Sequence, residues 1–393
     1  MAVMASPESQ QRRIDRLDAT RGIAILGILL MNIFGFALPQ MAYMNPVYSQ
    51  SVSQPDILVW GVFNLFFQGK FLAIFSILFG ATLALLHRKG YRWNMCRLAI
   101  LAILAILGVI HGVGLWDGDI LLAYAITGVM ALFIFEQYTQ QYLLKFACFI
   151  YVIGLIILFF LGISVDADNF WRVSEEQALS EFLQKTTGGS VSLLYRAQSV
   201  LNMVEMLFIQ YGWQLLGLMI TGFLLIRNGW LCGQFSSQHY RRMAILLITP
   251  ALLVQILSLY LQSQFGWGYF ATSIVGYIIN ELMIPLQSLG YIALVYGFWE
   301  SIKTCVIAKM LQCTGRMALS NYLLQTLICT TIFYHLSYFN KFSRLELLAF
   351  IVPIWLINLL FSYYWLHFFT QGPIEWGWRK LTDTISNCLE SPK

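Results

Sequence analysis

An imidazole and two carboxylates lie within eight residues of one another in VIHGVGLWDGDIL, Val109 to Leu121. His111 sits inside an apolar run, and Asp117 and Asp119 follow in the turn that leads into the next one. Ionisable groups at the edge of hydrocarbon are costly and face a protein interior or a wet cavity, so they point to a functional site. An imidazole titrates near neutrality and can take a proton from a hydroxyl or amine, while a carboxylate beside it holds one tautomer and stabilises the imidazolium. Asp119 is the expected partner of His111. Asp117 stands nearer the middle of the turn, where Asp and Gly also serve simply to reverse the chain.

Further polar residues recur at helical spacing. Arg21 and Asn32 are eleven residues apart. That spacing returns to within about 20° of one helix face and separates them by about 16 Å. An amide deep in an apolar segment must find a partner, and Asn32 is the candidate oxyanion donor. Arg97 and His111, fourteen apart, share a face to within about 40°. Beside them Gly108 and Gly112 let a neighbouring helix come close. Arg21, Lys70, Arg97 and Arg316 are basic groups suited to phosphates, and Asp117, Glu205, Asn321 and Gln325 are the remaining candidate substrate contacts. Each has a plainer reading: Arg21 as an interface anchor, Lys70 as a snorkelling side chain, the glycines as packing. Together they imply a polar cavity reaching into the protein from both ends.

The elements that must position these groups are membrane helices. The chain has 393 residues, of which 59% are hydrophobic and only 11% charged, with mean hydropathy +0.68, outside the range of soluble domains. Ten apolar segments of spanning length lie near 21–39, 70–87, 94–115, 120–136, 142–165, 202–226, 243–262, 272–299, 314–336 and 345–369. The expectation is an all-α, polytopic membrane protein, one integral domain over residues 1–393 with a lipid bilayer around it. The net charge of +5 is scattered in short clusters beside apolar segments, which reads as topology and not as nucleic-acid binding. Arg12, Arg13, Arg16, Arg88, Lys89, Arg92, Arg227, Arg241, Arg242, Lys303, Lys309, Arg379 and Lys380 fall on one side if the N-terminus is cytoplasmic. Residues 1–20 and 370–393 are then cytoplasmic and 166–200 is an outer loop. That loop carries Asp166, Asp168, Glu175, Glu176 and Glu181, and its Glu175 to Lys185 part suits a surface helix. Ile57 to Phe67 is apolar but too short to span, and suits an interfacial or re-entrant helix. The first apolar run is long for a removable signal and should remain as the first span. The seven cysteines show no metal-ligand spacing and no disulfide framework.

Several stretches resemble the YeiB-like bacterial inner-membrane family: RIDRLDATRGIAILGILLMN (Arg13 to Asn32), GKFLAIFSILFG (Gly69 to Gly80), HGVGLWDGDILLAYAITG (His111 to Gly128), GRMALSNYLLQ (Gly315 to Gln325) and GPIEWGWRKLT (Gly372 to Thr382). They cover essentially the whole chain and imply a bacterial inner-membrane protein loosely associated with transport. A more distant similarity is to the transmembrane acyltransferases, which include lysosomal heparan-glucosaminide N-acetyltransferase and bacterial enzymes that O-acylate surface polysaccharides. Those enzymes share an Asp-x-x-Arg-Gly segment, here Asp18 to Gly22, with Asn or His eleven residues after the Arg, here Asn32. The lysosomal enzyme has its catalytic His a further eleven residues on, where this chain has Tyr43, so the likeness would require His111 to take that role.

Three functions compete. The first is an acyltransferase carrying an acyl group from cytoplasmic acyl-CoA to an outer acceptor such as a sugar. It would use His111 and Asp119 as base and orienting carboxylate, Asn32 as oxyanion donor and the basic residues as donor contacts. Acyl-CoA would be a co-substrate, with no tightly bound cofactor and no metal. The second is a transporter of a small polar or anionic solute with the same residues as a proton relay. The third is a non-catalytic structural or signalling protein.

Overall fold

Inside hydrocarbon a backbone can satisfy its polar groups only within its own segment, so long apolar runs must become helices. In the computed structural model they do. It describes residues 14–85, 91–137, 139–165 and 171–390, with the backbone alone for 91–96, 136–137 and 386–390. Arg12, Arg13, Arg88, Lys89, Asp166 and Asp168 lie outside the described residues. The described chain contains helices and no strand.

Helix α1 (Asp15–Ala37) is the central element, buried along most of its length and packed against α4 (Lys70–Leu85), α13 (Val306–Arg316), α14 (Ala318–Thr330) and α15 (Arg344–Phe368). At one end it meets α13 backbone to backbone: a Cβ on Gly315 would fall 1.8 Å from the Asp18 carbonyl, so only glycine fits. A similar crossing joins α4 to α10 (Gly212–Arg227), where a Cβ on Gly222 would lie 1.8 Å from the Ile77 carbonyl. Around this core stand α5 (Tyr91–Gly114), α6 (Leu121–Gln137), α7 (Gln140–Ile163), α9 (Gly189–Met206), α11 (Ser237–Gln264) and α12 (Tyr277–Ile302). Short helices α2 (Met41–Met44), α3 (Gln54–Phe66) and α8 (Glu175–Thr186) gather at the end of α1 away from Asp15. The amphipathic α16 (Pro373–Glu390) lies at the other end, where Trp378 donates to the Ile100 carbonyl on α5.

Each of the ten sequence-predicted spans is helical over most of its length. Eight segments among the described residues are long and apolar enough to cross a membrane, and α6 and α14 are shorter. Two boundaries differ from expectation. The loop expected over 166–200 is largely helix among its described residues, because α8 spans Glu175–Thr186 and α9 begins at Gly189, with Tyr195, Gln198, Ser199 and Asn202 lining a cavity. The ninth span is broken at Met317, and α14 starts afresh with the Glu375 carboxylate of α16 accepting from the Leu319 and Ser320 amides. A short π-helical turn interrupts the chain at Leu207–Tyr211, Phe270–Gly276 and Thr331–His335. Such turns often accompany functional sites.

Candidate functional site

A cavity of about 650 Å³ opens at the end of α1 that carries Asn32. Gly27, Ile28, Met31, Asn32 and Gly35 form one face of α1 along it, a depth of about 12 Å at the helical rise. Its lining combines apolar side chains, Phe71, Leu72, Met203 and Met206, with the polar Gln40, Asp117, Lys185, Tyr195 and Gln198. Tyr43 and Gly69 also line it. The rim containing Tyr43 is held from outside by the buried Arg344, which donates to the carbonyls of Ala42, Asn45 and Pro46, each at 2.8 Å.

The segment 115–120 forms one wall and is pinned at three points. The Trp116 ring stacks on Phe36 with centroids 3.9 Å apart. Gly118 packs so closely on the same ring that a Cβ would lie 2.4 Å away. Asp119 Oδ1 lies 2.7 Å from His111 Nδ1, and Asp119 Oδ2 accepts from the Leu122 amide at 3.0 Å, capping α6. Asp117 is left between these anchors, facing the cavity, with its buried Oδ1 lacking any hydrogen-bond partner. Asn32 also faces the cavity, and no hydrogen bond engages its side chain among the described residues.

His111 itself does not line the cavity. Its ring is 1% exposed, Nδ1 is taken by Asp119, and Nε2 faces the Thr326 hydroxyl at 3.0 Å. Gly108 and Gly112 pack against the start of α6 and against Val200 of α9, which closes the surroundings of the imidazole. A base must reach the proton it removes, and in this arrangement Asp117 has that access where His111 does not. The pair His111–Asp119 anchors the segment that carries Asp117.

Several other candidates are committed elsewhere. Asn321 donates to the Ser362 hydroxyl at 2.7 Å and to the Met317 carbonyl at 2.9 Å, and Gln325 to the Ile25 carbonyl at 3.3 Å, so both tie α14 to its neighbours. Glu205 is exposed on α9 and does not line the cavity. Lys70 does not snorkel: it is 0% exposed, with Nζ 2.5 Å from both the Asn64 carbonyl and Asn280 Oδ1. Arg21 pairs with Asp18 at 2.9 Å, Arg316 donates to the Thr370 carbonyl at 3.0 Å, and Arg97 is buried. By helix position these three arginines stand at the opposite end from Asn32 and His111.

Sequence reasoning missed Lys185, Tyr195, Gln198 and Tyr43 as cavity residues. Lys185 reads as a surface residue on an amphipathic helix, yet it is buried, with Nζ 3.0 Å from Glu181 Oε1 and 4.8 Å from the centre of the Phe339 ring. Burial opposes its charge, but Tyr334, Asp117, Glu181 and Tyr195 around it outweigh that and hold its pKa well above the ordinary lysine value. Tyr43 had a signal, since it occupies the place where the acyltransferase likeness calls for a catalytic side chain.

Fold and site together define a multi-pass helical membrane protein with an end-opening amphipathic cavity. A family described as a protein of unknown function (DUF418) matches residues 225–384. Escherichia coli YeiB, described as uncharacterised, is 44% identical over 369 residues, 93% of this chain and 95% of its own length. Bacillus subtilis YxaH, likewise uncharacterised, is 25% identical over 404 residues, 96% of each chain. An uncharacterised 39.9 kDa protein from the amylase 3' region of Bacillus acidopullulyticus is 25% identical over 387 residues, 96% of this chain and 95% of its own. The chain belongs to the YeiB family with its DUF418 domain. No solved structure matches it.

Proposed function

We propose that the cavity is the acceptor end of a transmembrane acyltransferase that takes an acyl group from cytoplasmic acyl-CoA and delivers it to a hydroxyl or amine of an outer acceptor such as a sugar. The observation that carries this reading is the presence of two polar groups without a hydrogen-bond partner, the Asn32 amide and Asp117 Oδ1, in one cavity whose lining is part polar and part apolar. The polar side chains suit an acceptor head and the apolar ones an acyl chain, whereas a passage for a polar solute would need polar walls throughout. Asp117 takes the proton of the attacking hydroxyl or amine, and the Asn32 amide donates to the oxygen that becomes negative as the thioester carbonyl is attacked. His111 and Asp119 position Asp117. Arg21, Arg97 and Arg316 contact the phosphates of the donor from the opposite end.

The test is product formation by the full chain in lipid nanodiscs, given radiolabelled acetyl-CoA and octyl glucoside. Acetylated glucoside should form. It should fall by about 10²–10⁴ in Asp117→Asn, the usual worth of a general base, and by about 10²–10³ in Asn32→Ala, the worth of one oxyanion donor. Wild-type levels of product from both variants would end the reading. The transporter alternative has one observation in its favour, the fully buried Lys70 with its polar partners. Under it wild type consumes no thioester.

A further inference from the structure

A second pocket, of about 200 Å³, shares no lining residue with the cavity and plays no part in the acyl-transfer reading. Its walls include Tyr48 and Ser51 ahead of α3, Asp56 of α3, and Lys341, Ser343 and Arg344 at the entry to α15. Arg344 is 1% exposed. Its hydrogen bonds run to the carbonyls of Ala42, Asn45 and Pro46, and its buried Nε has no acceptor. All three partners are neutral, so the buried guanidinium has no counter-ion in hydrogen-bond contact among the described residues. Asp56, the carboxylate in the lining, is already committed: Oδ1 accepts from the Leu345 amide at 3.0 Å and Oδ2 from the Ser53 hydroxyl at 2.6 Å. Lys341 is exposed and forms no ion pair among the described residues, and its Nζ rests 5.9 Å from the centre of the Phe182 ring. Ser343 Oγ accepts from the Glu346 amide at 3.3 Å, which leaves its own proton to donate.

Two cations and one committed carboxylate therefore line a small polar pocket. A buried charge without a counter-ion is costly. A tetrahedral oxyanion supplies the missing charge together with several acceptors, and guanidinium and ammonium groups form their strong charge-assisted bonds to phosphate oxygens. The position of the pocket suits that group. Arg344 is the first residue of α15, a helix long and apolar enough to cross a membrane, so the pocket stands at the level where phosphate headgroups meet water. Phe342 lines the pocket and its ring lies 5.7 Å from that of the exposed Tyr338, the kind of aromatic pair that settles at this boundary.

We infer that this pocket binds a phosphate group, carried by a phospholipid headgroup or by a soluble phosphate, with Arg344 as the buried counter-charge and Lys341 Nζ and Ser343 Oγ as donors. Were Arg344 present only to hold residues 42–46, Lys341 would have no part in the site and its loss would leave phosphate affinity unchanged. The inference stands apart from the acyl-transfer reading, because its test uses no acyl donor or acceptor.

The test uses the full chain in dodecyl maltoside, with native mass spectrometry reading retained phosphatidylglycerol in one arm and calorimetry reading inorganic phosphate in the other. Wild type should bind one phosphate group per chain in at least one arm. Lys341→Gln should weaken that binding by about tenfold, the worth of one charge-assisted hydrogen bond. Lys309→Gln, which removes an exposed lysine of α13, should leave it unchanged. Binding of the lipid alone identifies a headgroup site, binding of inorganic phosphate alone a site for a soluble ligand, and binding of both a site that reads the phosphate group itself; each supports the inference. Absence of binding in both arms overturns it, as does wild-type affinity in Lys341→Gln or an equal loss in Lys309→Gln. Arg344→Lys should also weaken binding, and because Arg344 holds residues 42–46 as well, Lys341→Gln decides the matter even if that variant fails to fold.

Discussion

Replacing His111 by Gln separates positioning from proton transfer. The imidazole makes two hydrogen bonds, to Asp119 at 2.7 Å and to Thr326 at 3.0 Å, in a pocket where it is 1% exposed. Losing the bond to the carboxylate costs about 1.5–3 kcal/mol, since that acceptor is charged. Thr326 loses less, because its hydroxyl also reaches the Tyr322 carbonyl at 3.3 Å, and Asp119 keeps the Leu122 amide at 3.0 Å. The net expectation is a loss of about 2–3 kcal/mol, read as a lower Tm in nanodiscs. Turnover of acetyl-CoA should fall no more than about tenfold, the effect of a loosened but intact wall segment. Asp119→Asn should behave the same way, whereas Asp117→Asn should reduce turnover by about 10²–10⁴. If His111→Gln instead keeps its Tm and loses turnover by that factor, the imidazole is the base and the assignment to Asp117 is wrong.

Three further outcomes follow from the same geometry. Reporter fusions between α4 and α5, after Lys89, and in the Gly188 turn should read cytoplasmic and external respectively. Gln198, although in the polar stretch, lies within α9 and is unsuitable as a fusion point; a reversal of the two readings would invert every side assignment. Arg21→Gln, Arg97→Gln and Arg316→Gln should each weaken coenzyme A binding measured by calorimetry, and wild-type affinity in all three would place the donor elsewhere. Lys185→Met should destabilise by about 3 kcal/mol, the lower end for a buried ion pair that loses one partner. A raised folded-state pKa means its contribution is complete below the ordinary lysine pKa of 10.5 and is lost only as pH climbs through the higher folded value. The Tm difference should therefore be flat between about pH 6 and 9, and a difference that vanished within that window would show that another group is responsible.

Hydropathy and basic clusters made the helices legible, because spanning segments must be long, apolar and internally hydrogen-bonded. The contact between His111 and Asp119 was also legible, since one turn joins them. Which side of that contact faces open space was not. A one-residue step along the turn from Gly118 separates Asp117 in the cavity from Asp119 in the core, and polarity is the same for both. Lys185 and α9 were misplaced for a related reason: a polar helix face looks identical whether it meets water outside or lines a cavity inside. Lys70 could not be separated from a snorkelling lysine, because its side-chain partner Asn280 comes from a distant part of the chain.

The central claim is that an acyl group passes from a donor at the Arg21 end to an acceptor in the Asn32 cavity. Its most direct test places acetyl-CoA inside sealed proteoliposomes of the full chain and octyl glucoside outside, after selection for a single protein orientation. The account expects free coenzyme A thiol inside and acetylated glucoside outside in equal amounts, with both lost in Asp117→Asn. Thioester that stays intact in wild type, or product that forms only when donor and acceptor share one compartment, would contradict it.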